Sequence, residues 1–155
     1  MIALLLCIAC TGANTDSTDG TKTTDAVNTG PGTLAISFQM EEDLIASMDS
    51  PPIATFYGSI YADADATPLG QNDGAISLED FSAMMDLSDH GGPTEVLYTT
   101  QPMDVGVVWL LGCLDLDADG CGDPGDPITI PSENKALVVA GAETAVTIQM
   151  NMLRP

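Results

Sequence analysis

The 155-residue chain is predicted to be mostly β, with a small antiparallel β-sandwich that follows a signal segment and a disordered linker. Three observations predict this fold. Two segments alternate apolar and polar residues with a period of two, and a long apolar run between them suits a central strand. Turn-forming residues separate several further short apolar segments, as is usual in sandwiches.

The predicted strands begin at residues 33–40, where four apolar side chains share one face. These are Leu34, Ile36, Phe38 and Met40. Residues 144–152 repeat the alternation, so both segments should bury one face and expose the other. The long apolar run is 105–114, which contains the only tryptophan, Trp109. Shorter candidate strands cover 53–61, 95–100, 128–130 and 136–140.

Residues 77–85 allow two interpretations. Ser77 and Asp80 have the spacing of a capping box, and Leu78, Phe81 and Met85 would then line a short helix. The same residues also suit an irregular strand at the edge of the sheet.

The charge of the chain excludes several kinds of partner. It has 23 Asp and Glu residues against three Lys and Arg, which gives a formal net charge of −20. Nucleic-acid binding needs clustered basic residues, and so does electrostatic adhesion to anionic lipid. We therefore expect no nucleic-acid partner, whereas divalent cations suit such a surface.

The start of the chain predicts export. Residues 2–9 are apolar but too few to span a bilayer, and they fit the apolar region of a secretory signal. Cys10 follows Ala9 in an arrangement that resembles the lipobox of bacterial lipoproteins, although Cys7 stands where that pattern usually has Leu. This resemblance implies lipidation at Cys10 and a membrane partner through the lipid. An ordinary cleaved signal is one alternative, and lipidation of Cys7 is another, although Leu6 before it is larger than the lipobox pattern favours.

Three regions follow from this interpretation. Residues 1–10 are the signal segment with the lipidated cysteine, and 33–155 form the β-sandwich domain. Residues 11–32, rich in Thr and Asp, have too few apolar side chains to fold and are predicted to be a flexible linker. Thr11 stands where lipoproteins retained in the inner membrane often have Asp, which favours the outer membrane.

The final third of the chain resembles a known kind of protein. Trp109 begins a run that reads WLLGCLDLDADG and continues through Gly-Asp-Pro to a strand, a glycine turn and a last strand. It is similar to prealbumin-like and carboxypeptidase-regulatory-like sandwich domains, and more closely to uncharacterised lipoproteins of myxobacterium-like bacteria. The likeness covers about residues 33–152 and implies a fold and a location, with no activity to carry over.

Residues 115–126 have the spacing of a calcium loop, in which ligands fall at positions 1, 3, 5, 7, 9 and 12. The predicted ligands are Asp115, Asp117, Asp119, the Cys121 carbonyl, Asp123 and Asp126. Gly120 occupies position 6, where the chain must turn sharply. The flanking segments are strands, so we expect a structural calcium site that joins two strands. A metal-free acidic turn is the alternative.

Cys113 and Cys121 bracket this loop, and the other two cysteines lie in the signal segment. Because exported proteins fold in an oxidising compartment, we predict a Cys113–Cys121 disulfide, with a buried free thiol as the alternative. Such a bond would also shape the loop for a metal ion.

The sequence contains no nucleophile motif, phosphate loop or zinc spacing, so we do not expect an enzyme. The leading hypothesis is a lipid-anchored envelope protein that acts as a calcium-stabilised structural or binding module. A carbohydrate- or peptide-binding accessory domain is the alternative, which an exposed strip of Tyr57, Tyr61 and Tyr98 would favour. A part of an adhesin-like assembly is a third hypothesis. The protein or glycan partner is unknown.

Overall fold

The structure is a computed structural model that describes residues 29–48, 53–87, 92–121 and 123–155. The predicted signal segment, Cys10 and linker residues 11–28 lie outside the described residues. Within the described ranges, strands predominate and one short helix, α1, covers Glu42–Ala46. The strands are β1 (Thr33–Met40), β2 (Ile53–Ala62), β3 (Ala66–Thr67), β4 (Gly70–Gln71), β5 (Glu79–Asp86), β6 (Tyr98–Thr99), β7 (Gly106–Asp115), β8 (Pro127–Thr129), β9 (Lys135–Val138) and β10 (Glu143–Leu153).

Eight of these strands form one curled sheet in the order β5-β2-β7-β8-β10-β1-β6, with β9 beside β7. Its two halves pack face to face, which confirms the predicted sandwich, and the near closure of the sheet makes it barrel-like. Among the described strands, β1 and β10 are the only pair that runs parallel. Their register sets Phe38 opposite Ile148 and Met40 opposite Met150, so both apolar faces point to the same side.

The core lies between the two halves of the sheet. All four apolar residues predicted to share one face of β1 are buried. From the other half, β2 contributes Phe56, whose ring lies 4.9 Å from that of Phe38 between centroids. β7 adds Leu110 and Leu114, which are fully buried. This apolar contact between the halves supplies the main driving force for folding.

Two facing glycines make room for the Phe56 ring. Gly58 on β2 pairs with Gly112 on β7, and both lie beneath that ring. A Cβ atom at Gly112 would come within 2.4 Å of Phe56 Cζ, and one at Gly58 within 2.6 Å of Phe81 Cζ. Any larger residue would therefore displace the rings that fill the core.

The helix considered for residues 77–85 is wrong, and the alternative of an edge strand is confirmed. Residues 79–86 form β5, which pairs with β2 over its whole length. Phe81, Ala83 and Met85 point inward and are buried, whereas the residues between them are exposed. A strand buries all three of these side chains, whereas a helix would turn part of them away from the core. The free energy gained by this burial outweighs the local capping signal. The short helix α1 was not predicted.

The two edges of the sheet, β5 and β6, are joined by side chains. The Glu79 carboxylate accepts hydrogen bonds from the Tyr98 hydroxyl at 2.5 Å and from the Gln101 backbone N–H at 3.1 Å. The Phe81 ring stacks on the Tyr98 ring, with centroids 4.7 Å apart. Hydrogen bonding to Glu79 raises the pKa of Tyr98 to about 12.

Tyr98→Phe should lower the free energy of unfolding by about 1 kcal/mol at neutral pH, because the hydrogen bond to Glu79 is lost. The pKa of Tyr98 in the folded protein lies above its ordinary value of 10.0, so the stabilisation is complete below pH 10 and is lost as the pH rises through about 12. Urea unfolding of wild type and variant across this range should show the difference shrinking. Tyr57→Phe is the control, and a difference that stays constant with pH would contradict the linkage.

Candidate metal centre

The candidate metal loop, residues 115–126, connects two neighbouring strands. It begins at Asp115, the last residue of β7, and ends just before β8. Cys113 and Ile128 pair across these strands, so both ends of the loop lie at the same end of the sheet. The loop therefore joins two strands, as the sequence predicted.

Three of the predicted ligands converge. One carboxylate oxygen from each of Asp115, Asp117 and Asp119 can be chosen so that all lie within 4.8 Å of one another, and this cluster could hold a metal ion. Asp115 is buried, and its Oδ1 accepts a hydrogen bond from the Ala118 backbone N–H at 2.9 Å. Positive φ angles at Ala118 (66°) and Gly120 (107°) curl the backbone, which directs alternate side chains inward.

Asp123 lies next to Asp119, outside the group of three carboxylates that could share one ion. The carboxyl group of Asp119 is hydrogen-bonded to those of Asp117 and Asp123, and these contacts raise the pKa of Asp119 to about 6. Two carboxyl groups can share a hydrogen bond only when one is protonated. Hydrogen bonding to Asp117 and Asp123 is the main cause of the raised pKa, and repulsion among the negative charges adds to it. A bound cation would relieve this repulsion.

Asp126 lies at the base of the loop and is 4% exposed. Its Oδ1 accepts a hydrogen bond from the Leu116 backbone N–H at 3.4 Å. Its Oδ2 is buried and has no hydrogen-bond partner among the residues that the structure describes. A buried carboxylate oxygen without a partner is costly, and a cation is one of the few groups that can compensate it.

The Cys121 carbonyl accepts a hydrogen bond from the guanidinium group of Arg154. The Arg154 backbone is fixed as well, since its N–H donates to the Asp126 carbonyl at 2.8 Å and its carbonyl accepts from Gly125 at 2.9 Å. Sequence reasoning did not identify Arg154 as part of the site. The signal that could have identified it is the rarity of basic residues, since the chain has only three Lys and Arg residues.

The predicted disulfide is confirmed. Cys113 and Cys121 are bonded, with their Cα atoms 5.9 Å apart. Cys113 belongs to the β7 ladder, where it pairs with Tyr57, so the bond ties the middle of the loop to a central strand. This restraint limits the conformations of the loop before any ion binds.

The structure thus brings three predicted ligands together, Asp115, Asp117 and Asp119. Asp123 lies next to Asp119, Asp126 contacts the Leu116 backbone, and the Cys121 carbonyl contacts Arg154. All these donors are oxygen atoms, which hard cations prefer.

Comparison with known proteins yields no match. No protein-family model, curated protein or solved structure is significantly similar to this chain. In the described part of the chain, no helix has the length and apolarity that crossing a membrane requires.

Replacing both bonded cysteines, Cys113→Ala and Cys121→Ala, should lower the free energy of unfolding by about 2–3 kcal/mol, because the unfolded chain regains freedom in the loop. Urea unfolding of the full chain in EDTA measures this loss without any contribution from a metal ion. Wild type treated with a reductant should lose a similar amount. Equal stability of the oxidised, reduced and substituted proteins would show that the bond does not restrain the fold.

Proposed function

We propose that the protein is an exported, lipid-anchored module of the cell envelope whose loop 115–126 binds a structural calcium ion. The observation that carries the proposal is the convergence of the Asp115, Asp117 and Asp119 carboxylates in a loop closed by a disulfide. The buried Oδ2 of Asp126, which lacks a partner in the described part of the chain, supports it independently.

The chemistry of the donors favours calcium among the common metal ions. The cluster offers only oxygen ligands, and the nearby sulfur atoms are used in the disulfide, which argues against zinc or copper. Magnesium requires near-ideal octahedral geometry, whereas calcium accepts six to eight oxygens in irregular arrangements. An irregular loop with several carboxylates suits calcium better.

The ion would serve the fold. Three carboxylates lie close together at the end of β7, and repulsion between like charges at this separation opposes closure of the loop. A divalent cation would turn the repulsion into attraction and would lock the loop between β7 and β8. The ion would therefore stabilise this end of the sandwich without taking part in a reaction.

Export is supported by two parts of the chain. The Cys113–Cys121 disulfide fits an oxidising compartment. Residues 2–9 and the pair Ala9-Cys10 fit a signal segment with a lipidation site. An acyl chain on Cys10 would hold the domain at the membrane, with the polar segment after it as a spacer.

Thermal melting of the full chain in EDTA and in millimolar calcium tests the metal site. Calcium should raise the melting temperature of wild type and leave that of Asp117→Ala/Asp119→Ala unchanged, because the variant lacks two ligands. Asp73→Ala/Asp104→Ala is the matched control, since it removes the same charge from exposed positions outside the loop. Magnesium and zinc, tested alongside, should have smaller effects.

The outcome that would reject the calcium site is an equal response of the loop variant and the control variant. That result would attribute any effect of calcium to general screening of the negative charge.

Cys10→Ser should move the protein from the membrane fraction to the soluble fraction of an expressing bacterium, because the acylated residue is lost. Cell fractionation together with labelling by a radioactive fatty acid measures both effects. Cys7→Ser is the control and should stay labelled and membrane-bound. A wild-type protein that is soluble and unlabelled would exclude the anchor and would leave the calcium site unaffected.

A further inference from the structure

A groove of about 350 Å³ lies on the outer face of the sheet, across β5, β2 and β7. The outward side chains of these strands form its floor and one wall, and Gln71 of the β3–β4 hairpin contributes to its lining. Its lining includes Tyr57, Ser59, Tyr61, Gln71, Asp80 and Leu111. A volume of this size falls within the range of small-molecule sites.

Two aromatic side chains border a polar centre in this groove. Tyr57 and Tyr61 lie on the same face of β2, about 13 Å apart along the strand. The Tyr57 side chain is exposed (47%), so its ring is available to a ligand. Ser59 lies between the two tyrosines and donates a hydrogen bond to Asp80 Oδ1 at 2.7 Å. Apolar surfaces thus alternate with hydrogen-bonding groups.

The electrostatics of this groove argue against a charged anion as ligand. No Lys or Arg is among the described residues that line it. Hydrogen bonds from Ser59 and Ser77 lower the pKa of Asp80, so this carboxylate stays ionised and can accept hydrogen bonds from hydroxyl groups. An anionic ligand would be repelled by this group and by the net charge of −20.

The backbone argues against an extended peptide. β2 lies between β5 and β7 and pairs with both of them along its length. Its backbone groups are therefore used within the sheet, and a peptide could not add to it as another strand. Any ligand on this face must be recognised by side chains alone.

We propose that this groove binds a neutral saccharide. A pyranose ring has apolar C–H faces, one of which would stack on the exposed Tyr57 ring, and hydroxyl groups, which Ser59, Asp80 and Gln71 would bind. The next ring of an oligosaccharide would reach Tyr61, which is partly buried. Aromatic rings combined with a few polar groups are the usual composition of such pockets. The side chains of Tyr57 and Asp80 reach the ligand from two different strands, which would orient it across the sheet.

The groove is long enough for more than one sugar ring. It shares Gln71, Leu111 and Cys113 with an adjoining hollow of about 360 Å³ that extends to Ile128 and Arg154. Arg154 lines only the second hollow, so the neutral saccharide is placed in the groove itself, where about 13 Å between the two tyrosines leaves room for more than one ring.

Isothermal titration of the full chain, in calcium, tests the proposal with neutral hexasaccharides of glucose, xylose and N-acetylglucosamine, and with oligogalacturonate as the acidic probe. We expect at least one neutral probe to bind and the acidic probe not to bind. Tyr57→Ala should weaken the affinity by about tenfold or more, since a stacked aromatic ring dominates such contacts. Tyr57→Phe should bind like wild type, and Ile76→Ala, an exposed apolar residue outside the groove, is the control.

Failure of every neutral probe to bind at about 10 mM would overturn the proposal, because even weak saccharide sites saturate near that concentration. Equal binding by wild type and Tyr57→Ala would overturn it as well. The saccharide site does not depend on the calcium site. Asp117→Ala/Asp119→Ala should therefore bind the same probe at temperatures where it is folded. If wild type responds to calcium but binds no saccharide, only the saccharide proposal is wrong. If it binds a saccharide but does not respond to calcium, only the calcium proposal is wrong.

Discussion

The pairing of β2 with β7 is the constraint on which the rest of the structure depends. Its register sets Gly58 opposite Gly112, and these two glycines make room for the Phe56 ring at the centre of the core. Because side chains alternate along a strand, the same register sends the odd-numbered residues of β7 to the other face. A shift by one residue would exchange the two faces and would destroy the core and the outer groove together.

β7 therefore carries three different features in sequence. Leu110 and Leu114 fill the core, Leu111 forms part of the floor of the outer groove, and Asp115 at the end of the strand begins the metal loop. Cys113, one residue before Leu114, fixes that loop through its disulfide. The local geometry of each feature follows from its position along one strand with neighbours on both sides.

The two basic residues in the described part of the chain contact its acidic and aromatic groups. Lys135 Nζ lies 3.7 Å from the centroid of the Trp109 ring and 3.5 Å from Asp63 Oδ1. Trp109 also donates a hydrogen bond to Asp63, so this group of three fixes the outer surface of β7 near the hairpin. At the metal loop, the guanidinium group of Arg154 donates a hydrogen bond to the Cys121 carbonyl. The chain has only three Lys and Arg residues against 23 Asp and Glu residues, so basic side chains can neutralise few of its carboxylates.

Much of this arrangement could be predicted from local patterns, and the rest depends on distant contacts. Alternation identified β1 and β10, but it could not show that they pair in parallel, because both directions give the same pattern. The spacing of Asp115, Asp117 and Asp119 predicted their convergence, since a curling backbone brings alternate residues together. The contact between Arg154 and the Cys121 carbonyl joins residues 33 positions apart, which no local pattern reveals. Tyr98 was grouped with Tyr57 and Tyr61, yet it stacks on Phe81 at the edge of the sheet.

The position of the metal loop bears on how an ion could influence the groove. Cys113 and Asp115 pair with Tyr57 and Thr55, so the end of β7 cannot move without breaking its ladder with β2. A rearrangement of that kind would also disturb Phe56, which packs against Gly58 and Gly112. The dense core resists such displacements, because a closely packed interior does not deform gradually and its rearrangement costs free energy. An ion bound at the loop would therefore raise the stability of the domain while the groove beside it keeps its shape.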